Sequence, residues 1–341
     1  MHFFRSMKYS WIPGLFLLLM ACGESKPKRP DVSKIKAAIQ VVRFDDAVFS
    51  LDTNQLDQGL EQLHRQHPGF TKDYLYNIVG APPHPDSTKK ILTSFIRTYA
   101  SLYRDSRKQW TSFEPQLTEL AQSLKYVKHY FPQYALPTRL YLFMGPINSF
   151  GNIITADGLA VGLQLYMGKD YPTYLTEEGQ VLYPYFISRK FDKLYLPVNC
   201  VRNIIDDLYP NNSIGKPLVE QMVEVGKRAV LLDYLLPETA DTLKMGYTEK
   251  QWKGCLKNES NIWSFFMNGD LLYATDPNLV NPYMNDGPNT PALGPDSPGF
   301  IGLFCGKRIV EAWMKKHPET SLQDLMQTDA TKIFRESKYK P

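Results

Sequence analysis

The sequence predicts an α+β protein, mainly helical, with a small sheet and a long central helix. Three observations carry this. Residues 216–237 are apolar on two helical faces. Most of the chain before Tyr130 reads as amphipathic helix. Runs rich in β-branched residues are confined to 38–45 and to a block from 138 to 166.

The N-terminus reads as targeting sequence. Arg5 and Lys8 precede a short apolar run, 11–20, too short to span a bilayer at about 20 residues per helix. It ends in Leu19-Met20-Ala21-Cys22, which resembles a bacterial lipobox. Residues 1–21 are thus expected to be a lipoprotein signal peptide, 22–33 a polar tether lipidated (palmitate) at Cys22, and 34–341 a single globular domain. The lipid on Cys22 would hold the protein to a bilayer. The chain has 341 residues, 43% hydrophobic and 22% charged, which is ordinary globular composition. A formal charge of +4 without a concentrated basic run argues against a nucleic-acid partner. The other cysteines, Cys200, Cys255 and Cys305, read as small buried hydrophobes, and the abundant aromatics as packing.

Along the domain, 38–45 is expected to be a strand, and 53–64, 74–79, 87–104 and 115–130 helices. Residues 138–144, 152–156 and 158–166 suit three more strands, with Asp157-Gly158 as a tight turn. A helix is expected over 196–208, with Asp206 and Asp207 solvated. In the helix of 216–237, Pro217 suits the first turn and Pro237 ends the run. A segment at 238–244 follows. A single helix is then expected over 248–272, opened by a capping box of Thr248 and Gln251. Residues 276–299, with six prolines, show little pattern. Helices at 300–317, 321–327 and 329–337 finish the chain, and Gly302 and Gly306 permit close packing of the first.

The candidate chemistry lies at 219–223. A His-Glu-x-x-His zinc peptidase needs two histidines one helical turn apart, a glutamate between them to polarise water, and a third ligand from further along. Here Val219 and Val223 stand at the histidine positions, Glu220 at the glutamate position, and Glu259 on the next long helix where a third ligand would sit. Valine binds no zinc, and none of the six histidines falls between 130 and 316, so zinc hydrolysis is rejected and no cofactor is expected. The plain alternative is a packing helix in which Glu224 pairs with Arg228 at i,i+4. Asp286, Asp296 and Ser297 are candidates for a cleft rim, although residues of their type in such segments mostly form turns.

Several stretches in order resemble the gliding-motility lipoprotein GldB family. They are the Cys22 lipobox, Val42-Arg43-Phe44-Asp45, 161–172, Gly226-Lys227 with Asp233 and Leu236-Pro237, and Gly246-Tyr247-Thr248. Asn258-Glu259 with Trp263, Leu272-Tyr273, Asp296 to Gly302, Gly306 with Ile309-Val310, and 337–341 complete the set. The family is similar to predicted zinc-dependent peptidases, and this gives Val219-Glu220-x-x-Val223 its meaning. The resemblance implies a degenerate zincin-like domain whose metal ligands are lost. It further implies a non-catalytic envelope lipoprotein with protein partners in the gliding and associated secretion machinery. The residues after Cys22 lack an acidic run, which points to a position facing the periplasm. Two other readings compete: a peptidase or other hydrolase of the envelope with Glu220 and Glu259 as its acids, and a periplasmic ligand-binding lipoprotein.

Overall fold

Residues 29–341 are described in the computed structural model. The expected signal peptide, the lipidated Cys22 and the tether as far as residue 28 lie outside the described residues.

The sheet has four strands, β1 (Gln40–Arg43), β2 (Arg139–Phe143), β3 (Asn152–Thr155) and β4 (Gly158–Gly162), in the order β1-β2-β4-β3. β1, β2 and β4 run parallel, and β3 is antiparallel to β4 at one edge. Strand alternation sends side chains to two cores. Leu140, Leu142, Leu159 and Val161 enter the larger core, while Tyr141, Phe143 and Ala160 enter a smaller one. In the smaller core Phe70 stacks on Tyr141 at 4.2 Å and meets Phe44 edge-on at 4.8 Å.

All four strands are shorter than expected, two of them by four residues. The first ends at Arg43 because its guanidinium turns onto Asp45 at 2.8 and 2.5 Å, and the chain enters helix α1 (Phe44–Phe49). The expected strand 158–166 stops at Gly162, where a 3-10 turn (Leu163–Leu165) begins. There Gln164 accepts from the Gly145 amide at 2.9 Å and donates to the Phe150 carbonyl at 2.9 Å. The hairpin turn itself is Ala156-Asp157. Gly158 opens β4 at φ 143°, and a Cβ there would strike the Arg139 carbonyl.

The N-terminal helices are α2 (Leu56–Gln66), α3 (Pro68–Lys72), α4 (Pro85–Gln109) and α5 (Glu114–Tyr130). A π-helical turn, Asp73–Ile78, stands where the short helix at 74–79 was expected. α4 runs longer than expected, starting on Pro85 at its first turn. After the sheet come α6 (Pro172–Leu175), α7 (Glu177–Leu182), α8 (Tyr185–Ser188) and α9 (Leu196–Leu208).

The long central helix is α10 (Leu218–Leu235), with 13 of its 18 residues buried. Pro217 stands at its cap, not inside its first turn. No side chain caps it. Instead the Leu218 and Val219 amides donate to the carbonyls of Ala274 and Leu272, both at 2.9 Å, satisfying donors that a helix start leaves open. α11 (Asp241–Met245) follows.

The single helix expected over 248–272 is two, α12 (Glu249–Lys257) and α13 (Glu259–Asn268). The capping box at Thr248 and Gln251 is present. The break comes at Asn258, whose amide and side chain both donate to the Gly254 carbonyl, at 3.0 and 2.9 Å. Residues 276–299 are more regular than expected. They hold α14 (Pro277–Met284) and a 3-10 turn (Pro291–Leu293), tied down by Thr290 and Ser297. α15 (Ile301–Lys316), α16 (Leu322–Gln327) and α17 (Ala330–Ser337) close the chain. Residues 31–341 form one compact unit.

Candidate functional site

The centre of the molecule is the crossing of α10 and α15. Gly226 and Gly306 face each other across it. A Cβ on Gly306 would run into the Met222 carbonyl, and one on Gly226 into the Gly306 backbone. Helices that close together leave room for little except backbone, so charge is admitted only when paired.

A chain of ion pairs flanks the crossing. Asp233 of α10 receives Lys244 of α11 at 2.5 Å and Lys307 of α15. Lys307 also meets Glu311 at 2.5 Å, and Glu311 takes Arg308 at 2.7 Å. Arg308 donates to Glu259 on α13 at 2.8 Å, and the Tyr339 hydroxyl donates to the same carboxylate at 2.5 Å. Burial opposes the charge on Lys307, but Glu311 and Asp233 outweigh it and raise its pKa. Burial, then the bond to Glu259, raises the pKa of Tyr339. On another side of α10, buried Lys227 donates to Glu224 at 2.8 Å and to the Thr328 carbonyl at 2.6 Å, which pins the link between α16 and α17.

The positions singled out in the sequence are not brought together in one cleft. Val219 and Val223 are 2% and 0% exposed, inside the main core. Glu220 is half-buried, and its carboxylate makes no hydrogen bond or ion pair among the described residues. Glu259 is committed to Arg308 and Tyr339. α9 packs against both β3 and α10, so it occupies the space between the sheet edge and the central helix. The expected Glu224–Arg228 pair is replaced. Glu224 serves Lys227, while Arg228 reaches Asp206 at 2.8 Å and the Tyr209 carbonyl. Asp206 and Asp207 are exposed as expected, yet both have partners, Asp207 accepting from the Tyr134 hydroxyl at 2.8 Å. Among the described residues no cluster of three or more His, Cys, Asp or Glu stands ready to hold a metal ion.

A cavity of about 400 Å³ opens beside α10. Val225, Arg228, Ala229 and Leu232 form its α10 wall, a single helical face. α9 adds Arg202, Ile205 and Asp206, and Lys244 to Tyr247 and the start of α15 complete it. Asp286 reaches the cavity, where it pairs with Lys190. The other two expected rim residues lie elsewhere. Asp296 pairs with Lys250 at 2.6 Å on the surface, and Ser297 bonds within its own loop, accepting from the Thr290 amide at 3.0 Å and donating to the Gly294 carbonyl at 2.6 Å. Burial lowers the pKa of Arg202 and of Arg228, and that of Lys190 despite Asp286.

The comparison with known families adds the decisive observation. The profile of the family described as gliding motility protein GldB matches residues 25–341. The chain belongs to this family. The family's designation marks the GldB proteins as lipoproteins, which makes this chain a membrane-anchored envelope protein related to gliding motility. Among the described residues no helix is long and apolar enough to cross a membrane. No curated protein and no solved structure shows significant similarity to the chain. Many stretches that carried the GldB resemblance fall on the central crossing, Gly226 and Gly306, or on the ion pairs around it, Lys227, Asp233 and Glu259. The cavity cations Lys190, Arg202 and Lys244 went unread in the sequence, and Arg228 was read only as the partner of Glu224. The one signal available was Lys227-Arg228 standing in the middle of a largely apolar helix.

Proposed function

We propose that this GldB-family chain is a lipid-anchored, non-catalytic accessory protein of the gliding-motility machinery and its associated protein-secretion apparatus. Cys22 holds it to the membrane, and the domain faces the periplasm. Its scaffold is that of a degenerate zincin, and the face of α10 with the segment 277–299 beside it holds an envelope protein partner.

The observation that carries the non-catalytic reading is the fate of α10. The positions that would hold imidazoles are valines packed in the core. Zinc chemistry of the His-Glu-x-x-His kind needs an accessible pair of ligands one turn apart. The hydrolase reading needs Glu220 and Glu259 to converge on one substrate atom. Against it stand the two partners of Glu259 and the absence of both residues from the cavity wall.

The test is complementation in the organism that carries the protein. Glu220→Gln is expected to support wild-type function and abundance, and a chelator to leave the unfolding temperature of the purified protein unchanged. Cys22→Ala is expected to release the protein from the membrane fraction, and crosslinking in intact envelopes to capture a protein partner through 277–299. Stoichiometric metal in the purified protein, or loss of function in Glu220→Gln at normal abundance, would overturn the reading.

A further inference from the structure

We propose that the cavity between α9 and α10 is a binding site for a small organic anion, a carboxylate or phosphate carried on an apolar body. This goes beyond the scaffold role and does not depend on it.

Its size, about 400 Å³, is that of small-molecule sites, which run from roughly 300 to 1,000 Å³. Its charge is unbalanced. Four basic side chains line it, Lys190, Arg202, Arg228 and Lys244, against two acids, Asp206 and Asp286. Lys190 is answered by Asp286, Arg228 by Asp206, and Lys244 by Asp233 and Asp241. Arg202 has no carboxylate within ion-pair distance among the described residues, and Asp206 and Asp286 act on its charge only from further off. Its one hydrogen bond goes to the Lys244 carbonyl at 2.7 Å. A guanidinium has five donors in a fixed fork, so most of this one is unused. Arg228 lines the same space with its NH groups committed to Asp206 and the Tyr209 carbonyl and its Nε enclosed without a partner among the described residues. Two guanidiniums thus border one space, and that of Arg202 has donors to spare. A guanidinium fork matches carboxylate and phosphate alike.

Burial holds the pKa values of Arg202, Arg228 and Lys190 below their ordinary range because desolvation outweighs the carboxylates near them, so added counter-charge would favour all three. A bound anion would supply it. Most of the rest of the wall is apolar, with Val225, Ala229, Leu232, Met245, Phe300 and Leu303 placed to cover a hydrocarbon body. One of these is strained. Phe300 sits at φ 56°, a conformation rare for an aromatic residue, and its carbonyl is held there by the Tyr247 hydroxyl at 2.9 Å. Such strain is commonly kept where a ligand wall needs it.

The test uses the full-length protein in a neutral maltoside detergent, with calorimetry and thermal unfolding as readouts. The probes are n-octyl phosphate, octanoate, inorganic phosphate and 1-octanol. The two octyl anions are expected to bind saturably and to raise the unfolding temperature, at least tenfold tighter than inorganic phosphate, while 1-octanol does neither. The tighter of the two identifies phosphate or carboxylate as the natural head group. Arg202→Gln and Arg228→Gln are each expected to weaken binding at least tenfold. Asp286→Asn, which removes the acid facing Lys190, is expected to tighten it several-fold, a gain that misfolding cannot imitate. The proposal is overturned if 1-octanol binds like octyl phosphate, if no probe binds at millimolar concentration, or if the arginine variants and Asp286→Asn leave the affinity unchanged.

Discussion

Two glycine-to-alanine substitutions in helices of this protein should change stability in opposite directions. In a helix interior, glycine costs about 0.5–1 kcal/mol relative to alanine, so propensity alone predicts a gain at both sites. Gly254 lies within α12, and a Cβ there would meet no heavy atom within 4 Å. Gly254→Ala should therefore stabilise by about 0.5–1 kcal/mol. Gly306 lies at the crossing with α10, and its Cβ would overlap the Met222 carbonyl and come within 3.2 Å of the Gly226 amide nitrogen. Both obstacles are backbone, which cannot rotate away as a side chain can. α10 and α15 must separate, and overpacking of a filled core costs about 1–3 kcal/mol. Here the cost should fall at the upper end, because the interface that opens is the main helix contact of the core. After the propensity gain, Gly306→Ala should destabilise by about 2 kcal/mol. Urea unfolding of both variants, with thermal unfolding beside it, measures the difference. If Gly306→Ala stabilises as Gly254→Ala does, the close crossing is wrong.

Two further outcomes follow from buried groups. Burial pushes the thiols of Cys200 and Cys255 up to about 12 and raises that of Cys305 as well. At pH 8 their thiolate fraction is roughly a thousandth of that of a free cysteine. None of the three should react with a thiol reagent until the protein unfolds, and labelling of the native protein at these positions, followed by mass spectrometry, would contradict their placement. Lys307→Met leaves Asp233 and Glu311 short of a cation and should cost about 3 kcal/mol, in the range for broken buried pairs. Because the folded pKa of Lys307 is raised, its contribution is whole below the ordinary lysine value of 10.5 and is lost only as pH rises past it through the folded value. The gap between wild type and Lys307→Met in urea unfolding should thus be equal at pH 7 and pH 9 and shrink above about 10.5; a gap that shrinks already by pH 9 would refute it.

What could be read from the sequence was what local chemistry decides. The helix at 196–208 has the bounds expected of it because its apolar stripe and its first-turn proline act within the segment. The capping box at Thr248 is local in the same sense. Where the reading failed, a contact outside the segment prevailed. The helix after Thr248 breaks because Asn258 turns back onto the Gly254 carbonyl, and the resulting second helix places Glu259 at its first turn, facing Arg308. The Glu224–Arg228 pair was expected on an i,i+4 rule worth a few tenths of a kcal/mol. Burial of Lys227, with its need for a counter-charge, outranks that, and Asp206 from α9 claims Arg228. Residues 276–299 looked patternless because proline hides helical periodicity, while their order comes from Thr290 meeting Ser297 and from Gly287 lying against Gly299. The cavity was illegible for a similar reason. Lys190, Arg202, Arg228 and Lys244 come from four separate stretches, and no local rule joins them.

The valines of α10 permit a sharper test of whether metal chemistry was lost or merely left unoccupied. If Val219 and Val223 only mask a site that still has its shape, then Val219→His with Val223→His should restore zinc binding. The packing argues otherwise. Both side chains are buried in the main core, so each imidazole would replace a compact apolar group without a place for its ring. Overpacking costs about 1–3 kcal/mol per site. Each imidazole also brings polar nitrogens into a place with no partner, at about 1–3 kcal/mol more. Zinc could offset this only with a third ligand, and the candidate, Glu259, would first have to give up Arg308 and Tyr339. The double variant should therefore be destabilised by several kcal/mol and should bind no zinc at stoichiometric occupancy by calorimetry or elemental analysis. A double variant that folds as well as wild type and takes up one zinc ion would mean that the valines cover a standing site, and the scaffold reading would have to yield to an enzyme switched off by two substitutions.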